Sequence, residues 1–288
     1  METNNSFSRR TLIKSSIFGV MAASLPNVLF AKSFTQIENE SADALFHRYP
    51  SIEDEIVNEV VGVSHFNFDR VKELVIPRPE LARATWDWAF GDWETALGAA
   101  SHVGRRDIAS FLMNHGARPD IFTFAMLGKY QIVKAMIESM PGIESIAGPH
   151  GISLLRHAKA GLRSNYGITL SEKQVVDSNA LIAYLEQLGT ADSKEKDIEM
   201  TEEDKQKYLG DYRYGEGEDE GFTVKINMRK NLSLGKLGKS GGALYQKSPN
   251  VFSYNGTPSI EVHFTLADDQ VVFLTVVEPE LTLKAVKG

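Results

Sequence analysis

The segment of residues 86–94 concentrates the side chains best suited to recognition. It reads Trp-Asp-Trp-Ala-Phe-Gly-Asp-Trp-Glu and holds all three tryptophans of the 288-residue chain. Exposed aromatic rings beside carboxylates are typical of the contact residues that dominate protein interfaces. Large rings are also usually at least half buried, so filling a gap in the core is the open alternative for the same residues.

Seven histidines are spread along the chain. His65 and His102 occupy equivalent positions in a repeated pattern, which favours a structural or surface role. His157 falls where that pattern prefers alanine, which indicates a partly buried side chain. A pair of His150 and His157 lacks the i, i+4 spacing and the neighbouring carboxylates of a specific metal site. We therefore predict no metal site and no cofactor.

Other chemistry-bearing patterns are incomplete. Residues 233–240 end like a phosphate-binding loop, but Ser233 replaces its first glycine and no helical run follows. The acidic segment 215–221 is best explained as an exposed loop. The chain has no cysteine, which excludes disulfides, a thiolate nucleophile and cysteine metal ligands. Since no nucleophile with its base is visible, we predict that the protein is not an enzyme.

Composition favours a folded, acidic protein. Hydrophobic residues make up 42% of the chain and charged residues 24%, which is sufficient for a packed core. The net charge of -7 argues against non-specific binding to nucleic acid or to anionic lipid.

The N-terminus carries a targeting pattern. Ser8-Arg9-Arg10-Thr11-Leu12-Ile13-Lys14 resembles the twin-arginine export signal of bacteria. The apolar run that follows, residues 17–30, is shorter than the ~20 residues of a membrane-spanning helix. We therefore expect residues 1–31 to be a signal peptide and residues 32–51 a polar leader. The resemblance implies export in the folded state and a periplasmic protein, soluble and not membrane-spanning after processing.

The middle of the chain is repetitive. Its clearest unit contains Thr95-Ala96-Leu97-Gly98-Ala99-Ala100-Ser101-His102-Val103-Gly104, then Ile108, Phe111-Leu112 and Gly116-Ala117. This spacing resembles the ankyrin repeat. Partial copies follow around Ile132 and Gly161, and one precedes around His65. The resemblance implies an ankyrin-like solenoid of about four helix pairs over residues 52–189, with Gly104, Gly128 and Gly161 in left-handed turns.

The C-terminal part has a different period. After a charged linker, residues 190–205, apolar and polar residues alternate in 222–226 and 260–266, and 271–277 and 281–286 are further strand candidates. Asn255-Gly256 and Asp268-Asp269 mark turns. Residues 206–288 should therefore form a small antiparallel β-barrel or sandwich. Its opening Tyr208-Leu209-Gly210-Asp211-Tyr212 is similar to that of the small β-domain appended to serine β-lactamase-like hydrolases, where it is an accessory.

The predicted fold class is thus α plus β in two domains. The leading hypothesis is a non-catalytic scaffold that binds another envelope protein or a peptide on the concave face of the solenoid. Its predicted contact residues are Trp88, Asp92, Trp93, Glu94, His102, Arg105 and His150. The alternatives are a small-molecule carrier, with an apolar ligand in the β domain, and an accessory subunit of an envelope enzyme.

Overall fold

The computed structural model of the chain describes residues 49–163, 166–192 and 198–288. The predicted signal peptide, residues 1–31, lies outside the described residues. Residues 32–48 of the leader and residues 193–197 of the linker also lie outside the described residues. The chain divides into two compact units, Met1–Glu59 and Val60–Gly288. The finer division at residues 51, 189 and 205 stays a prediction.

Short helices occupy most of the first half of the described chain. Side-chain oxygens of Asn67, Thr95, Asp120, Ser153, Ser171 and Thr201 accept N-terminal backbone N–H groups and fix where six of these helices begin. None of the helices in the described ranges is long and apolar enough to cross a membrane. The helices are α1 (Asp54–Val63), α2 (Phe68–Val75), α3 (Ala96–Val103), α4 (Arg106–Asn114), α5 (Ile121–Met126), α6 (Tyr130–Ser139), α7 (Leu154–Ala160), α8 (Glu172–Leu188) and α9 (Glu202–Gln206), with 3₁₀ turns at Pro79–Arg83, Ile143–Ser145 and Pro149–Gly151.

Two sheets accompany the helices. A two-stranded hairpin, β1 (Thr85–Asp87) and β2 (Trp93–Thr95), precedes α3. The remaining strands form a closed antiparallel barrel in the order β10-β3-β4-β5-β6-β7-β8-β9. They are β3 (Gly210–Arg213), β4 (Gly221–Ile226), β5 (Leu232–Lys236), β6 (Gly242–Ser248), β7 (Val251–Tyr254), β8 (Thr257–Ala267), β9 (Gln270–Val277) and β10 (Thr282–Lys287).

The interior of the barrel is a cluster of buried side chains. Tyr212, Phe252 and Leu274 are fully buried there. In β8, Ile260, Val262 and Phe264 point inward at every second position, as a strand with one buried face requires. The strands predicted from alternation at 222–226 and 260–266, and the further candidates at 271–277 and 281–286, correspond to β4, β8, β9 and β10. The closed barrel is compatible with the C-terminal part of the sequence-based fold prediction.

The prediction of an ankyrin-like solenoid is wrong. In a solenoid each repeat contacts only its neighbours, whereas α3 packs directly against both α5 and α7. At the end of α3, a Cβ on Gly104 would lie 2.2 Å from the carbonyl oxygen of Ala160 in α7. Equivalent positions of the predicted repeats also differ in burial, because Ile108 is fully buried whereas its predicted equivalent Ile132 is 43% exposed.

The predicted turn glycines show the same irregularity. Gly104 and Gly128 have φ values of 85° and 67°, as predicted. Gly161 is right-handed, with φ -64°, so that prediction is wrong. Its lack of a side chain serves close packing instead, because a Cβ there would lie 1.8 Å from the carbonyl oxygen of Met126.

A buried arginine fastens this compact arrangement. Arg106, at the start of α4, donates from Nε to the carbonyl of Gly161 and from Nη1 to that of Leu127, at 2.9 and 3.1 Å. Its Nη2 lies 3.3 Å from Oγ of Ser178 in α8. These carbonyls end α7 and α5, where helices leave acceptors without intrahelical partners. Burial lowers the pKa of Arg106. One side chain thus joins the ends of two helices to a third.

We expect Arg106→Met to lower the free energy of unfolding by about 3 kcal/mol, because it leaves buried carbonyls without donors. Urea unfolding measures the change. Arg156→Met is the matched control, since its side chain is 52% exposed and its Nε lies 3.6 Å from Asp192; its effect should stay within about 0.5 kcal/mol. A similar loss for both variants would contradict the anchoring role of Arg106.

Candidate metal centre

Four side chains from separate segments converge near one end of the barrel. His65, Glu94, His102 and His150 each offer a ligand atom, and these atoms all lie within 4.8 Å of one another. Glu94 and His102 are buried, whereas His65 and His150 keep 22% of their side chains exposed. We call these four residues the His/Glu cluster.

The β1–β2 hairpin positions Glu94. In the turn, the N–H of Asp92 donates to the carbonyl of Ala89, and Phe90 and Gly91 both have positive φ, as a type I′ turn requires. Because side chains alternate along a strand, Trp93 is 61% exposed while Glu94 is 1% exposed.

The C-terminal ends of two helices position His65 and His102. His102 lies in the last turn of α3, in which every residue from Ala96 to His102 is buried. His65 lies in the turn after α1, and its Nδ1 is 2.9 Å from the carbonyl oxygen of Gly62. Arg105 donates to the carbonyl of Phe66 in the same turn. The two imidazole rings meet edge to face, with centroids 4.9 Å apart.

Asp92 holds His150 in place. One oxygen of its carboxylate accepts the backbone N–H of His150 at 2.9 Å, and the other lies 2.7 Å from the ring Nδ1. His150 sits in the 3₁₀ turn Pro149–Gly151 with φ 58°, a conformation that costs energy for a non-glycine residue. Fixing both the backbone and the ring leaves Nε2 of His150 directed to Glu94, 3.4 Å from its Oε1.

The barrel contributes through the turn between β7 and β8. Nδ2 of Asn255 donates to Asp92 at 2.6 Å, and the ring of Phe90 packs edge to face on Tyr254. Gly256 lies so close to the histidine-bearing turn that a Cβ there would be 2.6 Å from the backbone nitrogen of Gly151. The barrel therefore supports the segment that carries His150.

The spacing inside the His/Glu cluster matches that of metal ligands. Nε2 of His102 and of His150 lie 3.0 and 3.4 Å from Oε1 of Glu94, and Nε2 of His65 lies 3.4 Å from Oε2. Ligands that surround zinc tetrahedrally at 2.0–2.1 Å are about 3.3 Å from each other. Oε1 of Glu94 and both ring nitrogens of His102 are buried without a hydrogen bond in the described structure. The 3.0 Å approach of His102 to Glu94 therefore lacks the angles of a hydrogen bond.

Burial and neighbours set the protonation of the cluster. Burial acts to raise the pKa of Glu94, but interactions with His102 and His150 outweigh it and hold that pKa below its usual range. Burial lowers the pKa of His102 to about 4. Burial would also lower the pKa of His150, but Asp92 and Glu94 raise it to about 9. At neutral pH Glu94 is thus ionised and His102 is neutral, the forms that bind cations, whereas His150 is protonated and would release its proton on binding a metal ion.

Most of the residues predicted as protein contacts lie in or beside the His/Glu cluster, and the others lie elsewhere. Asp92, Glu94, His102 and His150 meet at the cluster, and the indole N–H of Trp88 donates to Oε2 of Glu94 at 2.8 Å. Trp93 lies on the exposed side of β2. Arg105 is buried and pairs with Asp107, with its guanidinium over the ring of Tyr166. A role for these residues in binding a protein partner stays a prediction.

His65 and Asn255 were not among the site residues predicted from the sequence. His65 and His102 had equivalent positions in the predicted repeat, but since the solenoid prediction is wrong, that equivalence does not explain their contact. Asn255 was identified only as a turn residue, and no local pattern links it to Asp92. His157, predicted to be partly buried, is fully buried and does not belong to the cluster.

Comparison with protein-family models, curated proteins and solved structures gives no match for this chain. The function therefore has to be inferred from the geometry of the site.

We expect Gly256→Ala to destabilise the protein by about 1–3 kcal/mol more than Gly238→Ala. Both glycines have positive φ, 78° and 71°, so both variants carry similar backbone strain. Only at Gly256 would the new Cβ meet the turn at Gly151, because Gly238 has open space around it. Urea unfolding of the two variants measures the difference, and equal losses would contradict the docking of this turn.

Proposed function

We propose that the protein binds one divalent transition-metal ion through His65, Glu94, His102 and His150. The observation that carries this proposal is the convergence of these ligand atoms within 4.8 Å, with buried nitrogen and oxygen atoms that lack hydrogen bonds. Three imidazoles and one carboxylate favour zinc and other imidazole-binding ions over magnesium or calcium, which prefer oxygen ligands. Zinc is the first candidate.

Outer contacts support the same interpretation. Histidine ligands usually donate their second ring nitrogen to a carboxylate or a carbonyl, which fixes the tautomer and the ring orientation. His150 has Asp92 in this role, and His65 has the carbonyl of Gly62. Trp88 fixes Oε2 of Glu94 and leaves Oε1 facing His102 and His150.

This proposal replaces the sequence-based expectation of no metal site, whereas the hypotheses on export, scaffold and carrier stay predictions beside it. Export by the twin-arginine route would carry the chain already folded, which is compatible with a metal enclosed before export. A protein-binding scaffold could still use Trp93, which is exposed. A carrier with its ligand in the barrel would require the buried cluster around Tyr212 and Phe252 to open.

The first test is zinc binding by the chain after it has been stripped of metal with a chelator. Isothermal titration calorimetry should give one site with a Kd below about 1 μM. His65→Ala and Glu94→Gln each remove a ligand and should weaken binding at least about 100-fold, a loss of ~2.7 kcal/mol. Cobalt substitution adds a visible spectrum that reports the coordination geometry.

His263→Ala is the matched control for zinc binding. Its imidazole lies on β8, paired with Glu261 and 41% exposed, far in sequence from the cluster. Zinc affinity should be unchanged in this variant. A wild-type chain without zinc, cobalt or nickel binding would leave the cluster as a network of ion pairs and overturn the proposal.

A second prediction concerns Asp92. Asp92→Asn places an amide where His150 and Asn255 both need an acceptor, so we expect zinc affinity to fall about 10–100-fold. Asp87→Asn is the control, because Asp87 accepts the N–H of Gly91 on the same hairpin and, among the described residues, contacts neither His150 nor Asn255. Calorimetry on both variants measures the effect, and an unchanged affinity in Asp92→Asn would exclude its outer role.

A further inference from the structure

A cavity of about 640 Å³ adjoins the His/Glu cluster. Two of the four cluster residues, His65 and His150, line it, and they are the two that remain partly exposed. The hairpin loop between β4 and β5 lines it too, with Asn227 and Arg229. The volume lies in the range of small-molecule sites, about 300–1,000 Å³. A molecule in this cavity would reach the edge of the proposed metal site.

Apolar side chains are exposed around the same cavity. Phe66 is 65% exposed, Trp88 is 36% exposed and Met228 is fully exposed, and all three line it. Clustered exposed apolar side chains mark binding sites more often than single ones do. The ligand of this cavity should therefore carry an apolar group.

The charges in the lining favour an anion. Arg229 is the one lysine or arginine among the described lining residues, and it forms no ion pair with any residue that the structure describes. Asp92 is the one carboxylate there, and His150 and Asn255 already occupy its oxygens. An incoming carboxylate would thus find a free guanidinium and no unpaired negative charge.

We propose that this cavity binds a small organic acid with an apolar body, an inference that rests on the proposed metal site. The carboxylate pairs with Arg229 and takes a fifth position on the metal beside the four protein ligands, since zinc can expand from four to five ligands and guanidinium groups pair with carboxylates. The apolar body lies against Phe66, Trp88 and Met228.

The probe for this site is 3-phenylpropionate, titrated by calorimetry into the zinc-loaded full chain. Acetate lacks the ring and 3-phenylpropanamide lacks the charge. We expect 3-phenylpropionate to bind at least about tenfold more tightly than either, and to lose that advantage in the chain stripped of metal.

Variants at exposed positions separate this inference from the metal site. Arg229→Gln and Met228→Ala should each weaken 3-phenylpropionate about three- to tenfold without changing the zinc Kd. Arg213→Gln and Leu281→Ala are the matched controls, exposed on the barrel and outside the cavity lining.

The outcomes are distinguishable. Normal zinc binding with equal affinity for all three probes, or with no effect of Arg229→Gln and Met228→Ala, would overturn the organic-acid site and leave the metal site standing. A chain that binds no metal would overturn both proposals, and the zinc titration alone reveals that case.

Discussion

The arrangement of the site depends on the hydrogen bonds that the carboxylate of Asp92 accepts. A buried carboxylate is costly unless its oxygens receive donors. Asp92 has three: the backbone N–H of His150, its ring, and the side chain of Asn255. These donors come from two distant segments, so the hairpin, the turn at residues 149–151 and the barrel must all be in place together.

This constraint explains why strained backbone is tolerated around the cluster. Phe90 and His150 both have positive φ although neither is glycine. Such conformations persist only where the surroundings determine them more strongly than local preference does. Here the ring of Phe90 packs on Tyr254, and Asp92 holds both the backbone N–H and the ring of His150. Both positions lie in the turns that place Glu94 and His150.

The helical part and the barrel contribute differently to the site. The helices and the β1–β2 hairpin supply His65, Glu94, His102 and His150, whereas the barrel supplies Asn255 and one wall of the cavity. A closed barrel has no free strand edges and forms a firm support for the turns at its ends. Oε1 of Glu94 and both ring nitrogens of His102 are buried without a hydrogen bond to any residue that the structure describes, whereas buried polar atoms are normally satisfied.

Local patterns in the sequence determined local structure. The alternation in 260–266 specified a strand with one buried face, Asn255-Gly256 specified a turn, and Thr95 specified the start of a helix, because each depends on neighbouring residues alone. The positive φ at Gly104 followed from the same kind of signal. The likeness of the positions of His65 and His102 also came from sequence, but their contact did not.

Only the tertiary structure decided how these elements meet. Direct packing of α3 on α7 and of α7 on α5 replaced the expected solenoid. Gly104 permits the first close approach and Gly161 the second, which spacing along the chain does not reveal. The burial of Glu94 and the union of three histidines around it likewise depend on contacts between residues far apart in sequence. A sequence pattern reports which side a residue faces within its own element, whereas a metal site depends on where several elements place their side chains in space.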